Sequence, residues 1–241
     1  MKTDETEKTN SVAAGAKISC VIPAHNEEAS IENTLRAVSG VGDSLYEIIV
    51  VDDGSTDKTK DIVRLFPNIK LLVNARNLGK SATVAKGIVE SGGDFVLLLD
   101  ADLTGLNSDS IISLTRPIRD GKADVVISMR ENTPGWMKAL GVDCMSGERI
   151  LSRSVLLENI ESLRQLKSFG LEVFLNKVII QKKLRVKSVK LANVKNQMKW
   201  EKRSFWKGVR DELFMWKDLF KTVSLVQFVR QQRGLKKLLV E

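Results

Sequence analysis

Two short apolar runs, Ile48-Ile49-Val50-Val51 and Phe95-Val96-Leu97-Leu98-Leu99, each lead straight into carboxylates. Such runs are too short for a membrane span and too uniform for a half-exposed strand. They read as strands buried on both faces of a parallel sheet, whose carboxyl ends are where open α/β sheets hold ligands. Asp52-Asp53-Gly54-Ser55-Thr56-Asp57 follows the first run and Asp100-Ala101-Asp102 the second. Adjacent strands would thus line one edge of the sheet with acid. Paired carboxylates at a buried strand's exit cost desolvation energy unless a cation offsets it. Hard oxygens of this kind suit Mg2+ or Mn2+ with a substrate's phosphates as further ligands, so Asp100 and Asp102 are the candidate metal ligands.

The rest of the chain supports this framework. Strand-like segments at 17–22, 46–51, 69–73, 94–99 and 124–128 alternate with helix-like ones at 28–39, 57–66, 79–91 and 107–120. That alternation predicts an α/β, doubly wound, mostly parallel sheet. Ser55 or Thr56 is the expected N-cap of the second helix, and Ser91-Gly92-Gly93-Asp94 closes the third. Beyond Met129 the rhythm changes: 131–136 reads as a loop, 146–159 and 168–181 as helices, and 183–192 as a strand. Residues 1–16 read as a disordered tail.

Composition excludes several chemistries. With two cysteines and one histidine, neither a common structural zinc site nor, unless His25 serves, a Ser-His-Asp or Cys-His nucleophile is available. There is no G-x-G-x-x-G and no G-x-x-x-x-G-K-[ST] loop. No stretch reaches the ~20 apolar residues of a membrane helix, and the N-terminus lacks a signal peptide's apolar segment, so a cytoplasmic location is expected. The net charge of +8 is uneven: from Gln181 onward there are 17 Lys and Arg against 5 Asp and Glu. An acidic half is joined to a basic tail.

Four motifs stand in order: Ile22-Pro23-Ala24-His25-Asn26-Glu27-Glu28, Val50-Val51-Asp52-Asp53-Gly54-Ser55-Thr56-Asp57, Asn77-Leu78-Gly79-Lys80 with Gly87 beyond, and Leu99-Asp100-Ala101-Asp102. Their order and spacing resemble the family 2 glycosyltransferases of GT-A fold. The resemblance implies a nucleotide-diphospho-sugar donor held by Pro23, Ala24, His25, Asn26, Glu27, Asp52, Asp53, Gly54, Gly79, Lys80, Asp100 and Ala101. Asp53 would accept from the base, Lys80 would approach the nucleotide, and Asp102 would be the main metal contact. His25 is read as a positioning residue. The implied domain spans 17–195, with a nucleotide-sugar half at 17–130 and an acceptor half at 131–195.

A narrower likeness follows in Asp143-Cys144-Met145-Ser146-Gly147-Glu148-Arg149 with Arg153 beyond. It resembles the D-x-x-S-G-x-R segment of the dolichyl- and polyprenyl-phosphate mannosyl- and glucosyltransferase branch, and Arg130 sits where that branch carries an arginine. The branch implies that Ser146 and the arginines hold the acceptor's phosphate. On the helix expected at 146–159, Arg149 and Arg153 are four apart and would share a face. Leu103-Thr104-Gly105-Leu106-Asn107 departs from the branch's usual residues after the carboxylate pair.

The implied activity is metal-dependent, inverting and non-processive transfer of a hexose, from GDP-mannose or UDP-glucose, to a polyprenyl or dolichyl phosphate. A hydroxyl acceptor would instead need a base, for which Glu172 is the candidate. The segment 196–241 is basic, aromatic and amphipathic, with a helix expected over 203–228. It suits either peripheral contact with the cytoplasmic face of a membrane or packing against the domain or a second subunit. A non-catalytic module whose tail binds a partner or nucleic acid is the reading from another class. The acidic rim argues against nucleic acid in the main cleft.

Overall fold

The computed structural model describes residues 15–166, 170–196 and 224–241. Seven strands form the main sheet: β1 (Ile18–Ala24), β2 (Glu47–Asp52), β3 (Ile69–Val73), β4 (Phe95–Leu98), β6 (Val125–Arg130), β7 (Arg149–Ser152) and β8 (Val186–Leu191). Their order is β3-β2-β1-β4-β7-β6-β8. All are parallel except β7, which runs antiparallel between β4 and β6. A second small sheet pairs β5 (Leu103–Thr104) with β9 (Lys195–Asn196).

Alternate strand residues feed two cores. Ile22, Val50 and Leu97 face α1 (Ile31–Ser39), α2 (Thr59–Arg64) and α4 (Ser108–Arg119). Val21, Ile49 and Val96 join the other core with α3 (Lys80–Glu90), α7 (Ile160–Gln165) and α8 (Gly170–Gln181). Helices on both faces are what fully apolar parallel strands require. At Gly87 a Cβ would fall 2.4 Å from Val21, so α3 lies against the sheet through glycine.

The four early helices and the strands at their flanks fall where periodicity places them, within a few residues. Three local expectations are corrected. The second helix starts at Thr59, and the side chain of Asp57, not Ser55 or Thr56, accepts from its first N–H at 2.9 Å. The region 131–136 is not all loop, since α5 (Gly135–Leu140) begins behind Pro134. The helix expected at 146–159 is instead the strand β7 followed by α6 (Arg153–Glu158), because Arg149–Ser152 fits edge to edge between β4 and β6 with Ile150 and Leu151 fully buried.

The tail is described only in part. Most of the helix expected at 203–228 lies outside the described residues, as do residues 1–14. The described part, α9 (Leu225–Lys236), opens with a capping box of Ser224 and Gln227 and packs back onto the domain. Phe228 and Leu235 are buried. Leu238 and Val240 bond Val186 of β8, closing that sheet edge.

Candidate active site

The chain orders β1, β2 and β3 outward on one side, then returns to place β4 on the other side of β1. Ligands bind at such a switch point, outside the strands' carboxyl ends. The loops after β1, β2 and β4 meet there, and they carry the candidate residues.

The first two loops are tied together by hydrogen bonds. Asp53 N–H donates to Ala24 O at 2.8 Å. His25 Nδ1 lies 2.9 Å from Asp53 O, a contact that requires the proton on Nδ1. Asn26, at φ 55°, takes the Thr56 N–H on its side-chain oxygen at 2.9 Å and donates its own N–H to Ser55 Oγ at 3.0 Å. Glu27 N–H donates to Thr59 Oγ1 at 2.8 Å. His25 and Asn26 thus tie the loop after β1 to the loop after β2.

The two aspartates ending β2 differ. Asp53 Oδ1 accepts from Asn74 Nδ2 at 2.8 Å and Leu78 N at 2.9 Å, and Oδ2 accepts from Gly79 N at 2.8 Å. It serves as the N-terminal anion of α3, whose own N-cap is Gly79 at φ 90°. Burial acts to raise the Asp53 pKa, but hydrogen bonds from Leu78, Asn74, Thr83 and Gly79 outweigh it and hold the group below the ordinary aspartate value. Asp52 is fully buried; its Oδ2 accepts from Ser55 N at 3.1 Å, while Oδ1 has no hydrogen-bond partner among the described residues. Asn74, unmarked by the sequence reading, could have been found from its place: it directly follows β3.

At the end of β4, Asp100 meets Lys80 from the first turn of α3 and Glu172 from the first turn of α8. Lys80 Nζ is 2.8 Å from Asp100 Oδ1 and 3.0 Å from Glu172 Oε1. Burial works against the charge on Asp100, yet Lys80, with Arg130 and Arg149 behind it, keeps its pKa below the ordinary value. Burial likewise acts to lower the Lys80 pKa, and Asp100 and Glu172 more than reverse this. Gly147 supports Asp100 from the other side: a Cβ there would lie 2.5 Å from Asp100 Oδ2.

The acceptor-side residues are placed differently from the sequence expectation. Arg130, at the end of β6, reaches Glu148 at 3.2 Å and Asp143 at 4.0 Å, and its buried Nε has no partner among the described residues. Its charge is felt by both Asp100 and Asp102. Ser146 is fully buried and heads no helix; its Oγ lies 2.7 Å from Ser128 Oγ and 3.0 Å from Glu148 Oε2.

Arg149 is also fully buried. It donates to Ser146 O through Nε and Nη2 and to Asn176 Oδ1 at 3.1 Å. Burial lowers its pKa despite Glu172 nearby.

Arg153 lies at the opposite end of the sheet. It donates to Ile88 O, Val89 O and Ser91 Oγ, closing the C-terminus of α3. The shared face of Arg149 and Arg153 therefore does not exist, because a strand turns one arginine inward and the antiparallel register carries the other away. Asn176, on the same face of α8 as Glu172 four residues earlier, holds Cys144 O at 2.8 Å and was missed.

Among the described residues, no three His, Cys, Asp or Glu side chains form a complete metal cage. What the site offers is two carboxylates within an electrostatically coupled set. Asp100, Asp102, Asp143, Glu148 and Glu172 stand against Lys80, Arg130 and Arg149, two negative charges in excess. Hard oxygens with that imbalance fit a divalent cation that completes its shell on a diphosphate.

A mostly parallel sheet with one inserted antiparallel strand, and an acidic rim at the switch point, defines a GT-A-like α/β fold, as the motif resemblance implied. Solved structures agree. Glucosyl-3-phosphoglycerate synthase from Mycobacterium tuberculosis, in complex with Mn2+ and UDP-glucose, superposes with TM-score 0.67 over 88% of this chain and 79% of that one, at 24% identity. The same enzyme with Mn2+, UDP and glucosyl-3-phosphoglycerate gives TM-score 0.63 at 25% identity, over 76% of this chain and 72% of that one. Residues 19–135 match the family model Glycosyl transferase family 2.

Several curated relatives are polyprenyl-phosphate sugar transferases by name. Undecaprenyl-phosphate 4-deoxy-4-formamido-L-arabinose transferase of Pseudomonas paraeruginosa is 36% identical over 124 residues, 48% of this chain and 36% of the relative. Dolichol-phosphate mannosyltransferase of Pyrococcus furiosus is 30% identical over 146 residues, 56% of this chain and 41% of the relative. The chain thus spans well under half the length of these relatives.

Proposed function

We propose that this chain is a divalent-metal-dependent, inverting, non-processive glycosyltransferase that moves a hexose from a nucleotide-diphospho-sugar, GDP-mannose or UDP-glucose, to a polyprenyl phosphate. The observation that carries the reading is the convergence of Asp100, Lys80 and Glu172 at the switch point, beside prebuilt loops at 23–27 and 52–55. Asp100 and Asp102 would hold Mg2+ or Mn2+. When bound, the cation would neutralise charge developing on the departing diphosphate.

The chain's own residues supply the rest. Pro23, Ala24 and Glu27 line the donor loop, with Gly54 and Ala101 as its glycine turn and strand exit. The base is assigned to Asp52 Oδ1, a buried acceptor without a partner among the described residues, because the acceptor positions of Asp53 are largely filled by the 74–79 loop and the start of α3. Lys80 binds the diphosphate as a point charge. Arg130, close to both metal carboxylates, is the cation best placed for the acceptor's phosphate. A lipid monophosphate is already ionised near neutral pH and attacks without a base.

A membrane-side acceptor agrees with the surface between α8 and α9. A groove of about 1050 Å³ there is lined by Lys177, Arg230, Arg233 and Lys237 with exposed Val226 and Val229, and among the described residues it carries no carboxylate. Cations above an apolar floor suit an anionic lipid interface. No helix among the described residues is long and apolar enough to cross a membrane, so the contact proposed is peripheral.

A second reading, a hydroxyl acceptor with Glu172 as base, is favoured by the position of Glu172 within reach of Lys80 and Asp100. Transfer assays with GDP- and UDP-hexoses, Mn2+ and a short polyprenyl phosphate decide between them. With the lipid-phosphate acceptor, Glu172→Gln is expected to retain turnover. With a hydroxyl acceptor it loses about 10²–10⁴-fold. Absence of any metal-dependent nucleotide binding in folded protein refutes both.

A further inference from the structure

Asp100 is packed against Gly147, where a Cβ would lie 2.5 Å from Oδ2 and 3.0 Å from Oδ1, and Oδ1 carries the Lys80 ammonium at 2.8 Å. One of the two oxygens a cation could take is therefore already held by a cation. Lys80 reaches it from the first residue of α3, and its other partner is Glu172 Oε1 at 3.0 Å, on a different element. The ammonium is a compact charge on a flexible stem, and 37% of the side chain is open to solvent while Asp100 and Glu172 are 17% and 6% exposed. The carboxylates are fixed, and the lysine is the member of the trio free to leave.

Resting on the metal and nucleotide reading above, we infer that Lys80 is a resident counter-ion of the metal carboxylate, and that its transfer from Asp100 to the donor's diphosphate couples divalent-cation binding to nucleotide binding. A metal ion and an ammonium cannot share Asp100 Oδ1, since two positive charges at that separation repel. A cation arriving alone must push Lys80 onto Glu172 and solvent, with no anion to replace Asp100. A nucleoside diphosphate brings that anion. Metal and diphosphate then bind with a positive coupling, and because such coupling is reciprocal each tightens the other by the same factor. The same movement loosens Glu172 from one of its ties and joins the donor side of the site to the acceptor side.

The experiment is titration of the full-length protein with Mn2+, free Mn2+ being read by electron paramagnetic resonance, without and with saturating UDP or GDP. The wild type is expected to bind Mn2+ weakly alone and more than about tenfold tighter with the matching nucleotide. Lys80→Gln is expected to bind Mn2+ alone about tenfold tighter than the wild type, with the nucleotide's effect reduced to about threefold or less. Lys80→Arg, which keeps the charge, should keep most of the coupling. Lys80→Met preserves the stem and replaces the amide variant where circular dichroism shows that the latter does not fold. Mn2+ affinity and coupling unchanged in folded Lys80→Gln or Lys80→Met overturn the inference while leaving the site's assignment intact. A wild type that binds neither Mn2+ nor nucleotide overturns the assignment itself.

Discussion

Arg149→Met tests whether this arginine braces the 143–149 turn or grips an acceptor. In the structure its guanidinium is fully buried and gives Nε and Nη2 to Ser146 O and Nη1 to Asn176 Oδ1. Removing it leaves Ser146 O and Asn176 Oδ1 without this donor, whereas Cys144 O keeps the Asn176 amide at 2.8 Å. Two buried acceptors at about 1–3 kcal/mol each give a loss of about 2–6 kcal/mol. The removed charge also balances Glu172, Asp143 and Glu148, so the loss lies toward the upper part of that range. For a chain of this size the melting temperature should fall by roughly 5–20 °C, read by differential scanning calorimetry. A folded variant melting within about 2 °C of the wild type, with a raised KM for the lipid phosphate and an unchanged KM for the donor, would refute the brace and restore Arg149 as an acceptor ligand.

Four further outcomes are expected. In Asp52→Asn the amide oxygen must turn to Ser55 N, leaving an NH2 where Oδ1 stood, so nucleotide affinity measured by calorimetry should drop by about 5–150-fold, from about 1–3 kcal/mol. Asp53→Asn should instead lower stability. Because the folded pKa of Asp53 lies below its unfolded value, that advantage of the wild type is fully present above about pH 4 and fades as pH falls through the folded pKa, a trend visible in urea midpoints from pH 6 to pH 3. Gly147→Ala forces a Cβ to within 2.5 Å of Asp100 Oδ2 and should cost about 1–3 kcal/mol together with a weaker Mn2+-dependent thermal shift; equal melting curves would show that Asp100 yields freely. Arg153→Ala should reduce stability by about 1–2 kcal/mol through the exposed carbonyls of Ile88 and Val89 without changing acceptor KM, and a selective KM effect would contradict its place at the far end of the sheet.

The sequence by itself determined the framework. Strands at Ile48–Val51 and Phe95–Leu99 are apolar on both faces, and residues of that kind have no stable place outside a covered sheet, so the alternation and the acidic rim followed from local pattern alone. The places of the acidic residues and of the loops after β1 and β2 were legible for the same reason, since each directly follows a strand. What the segment 146–159 becomes was not legible. Ile150, Leu151, Leu156 and Leu157 satisfy a helical period as well as a strand, and only the vacant edges of β4 and β6 decide for the strand. That choice buries Arg149, sends Arg153 to the far end and leaves Arg130 as the arginine beside the metal carboxylates. The division of labour between Asp52 and Asp53, and the bridge from Lys80 to Asp100 and Glu172 across 92 residues of sequence, are likewise tertiary. Adjacent carboxylates look alike in a sequence; which one is filled by backbone N–H groups depends on where another loop lies in space.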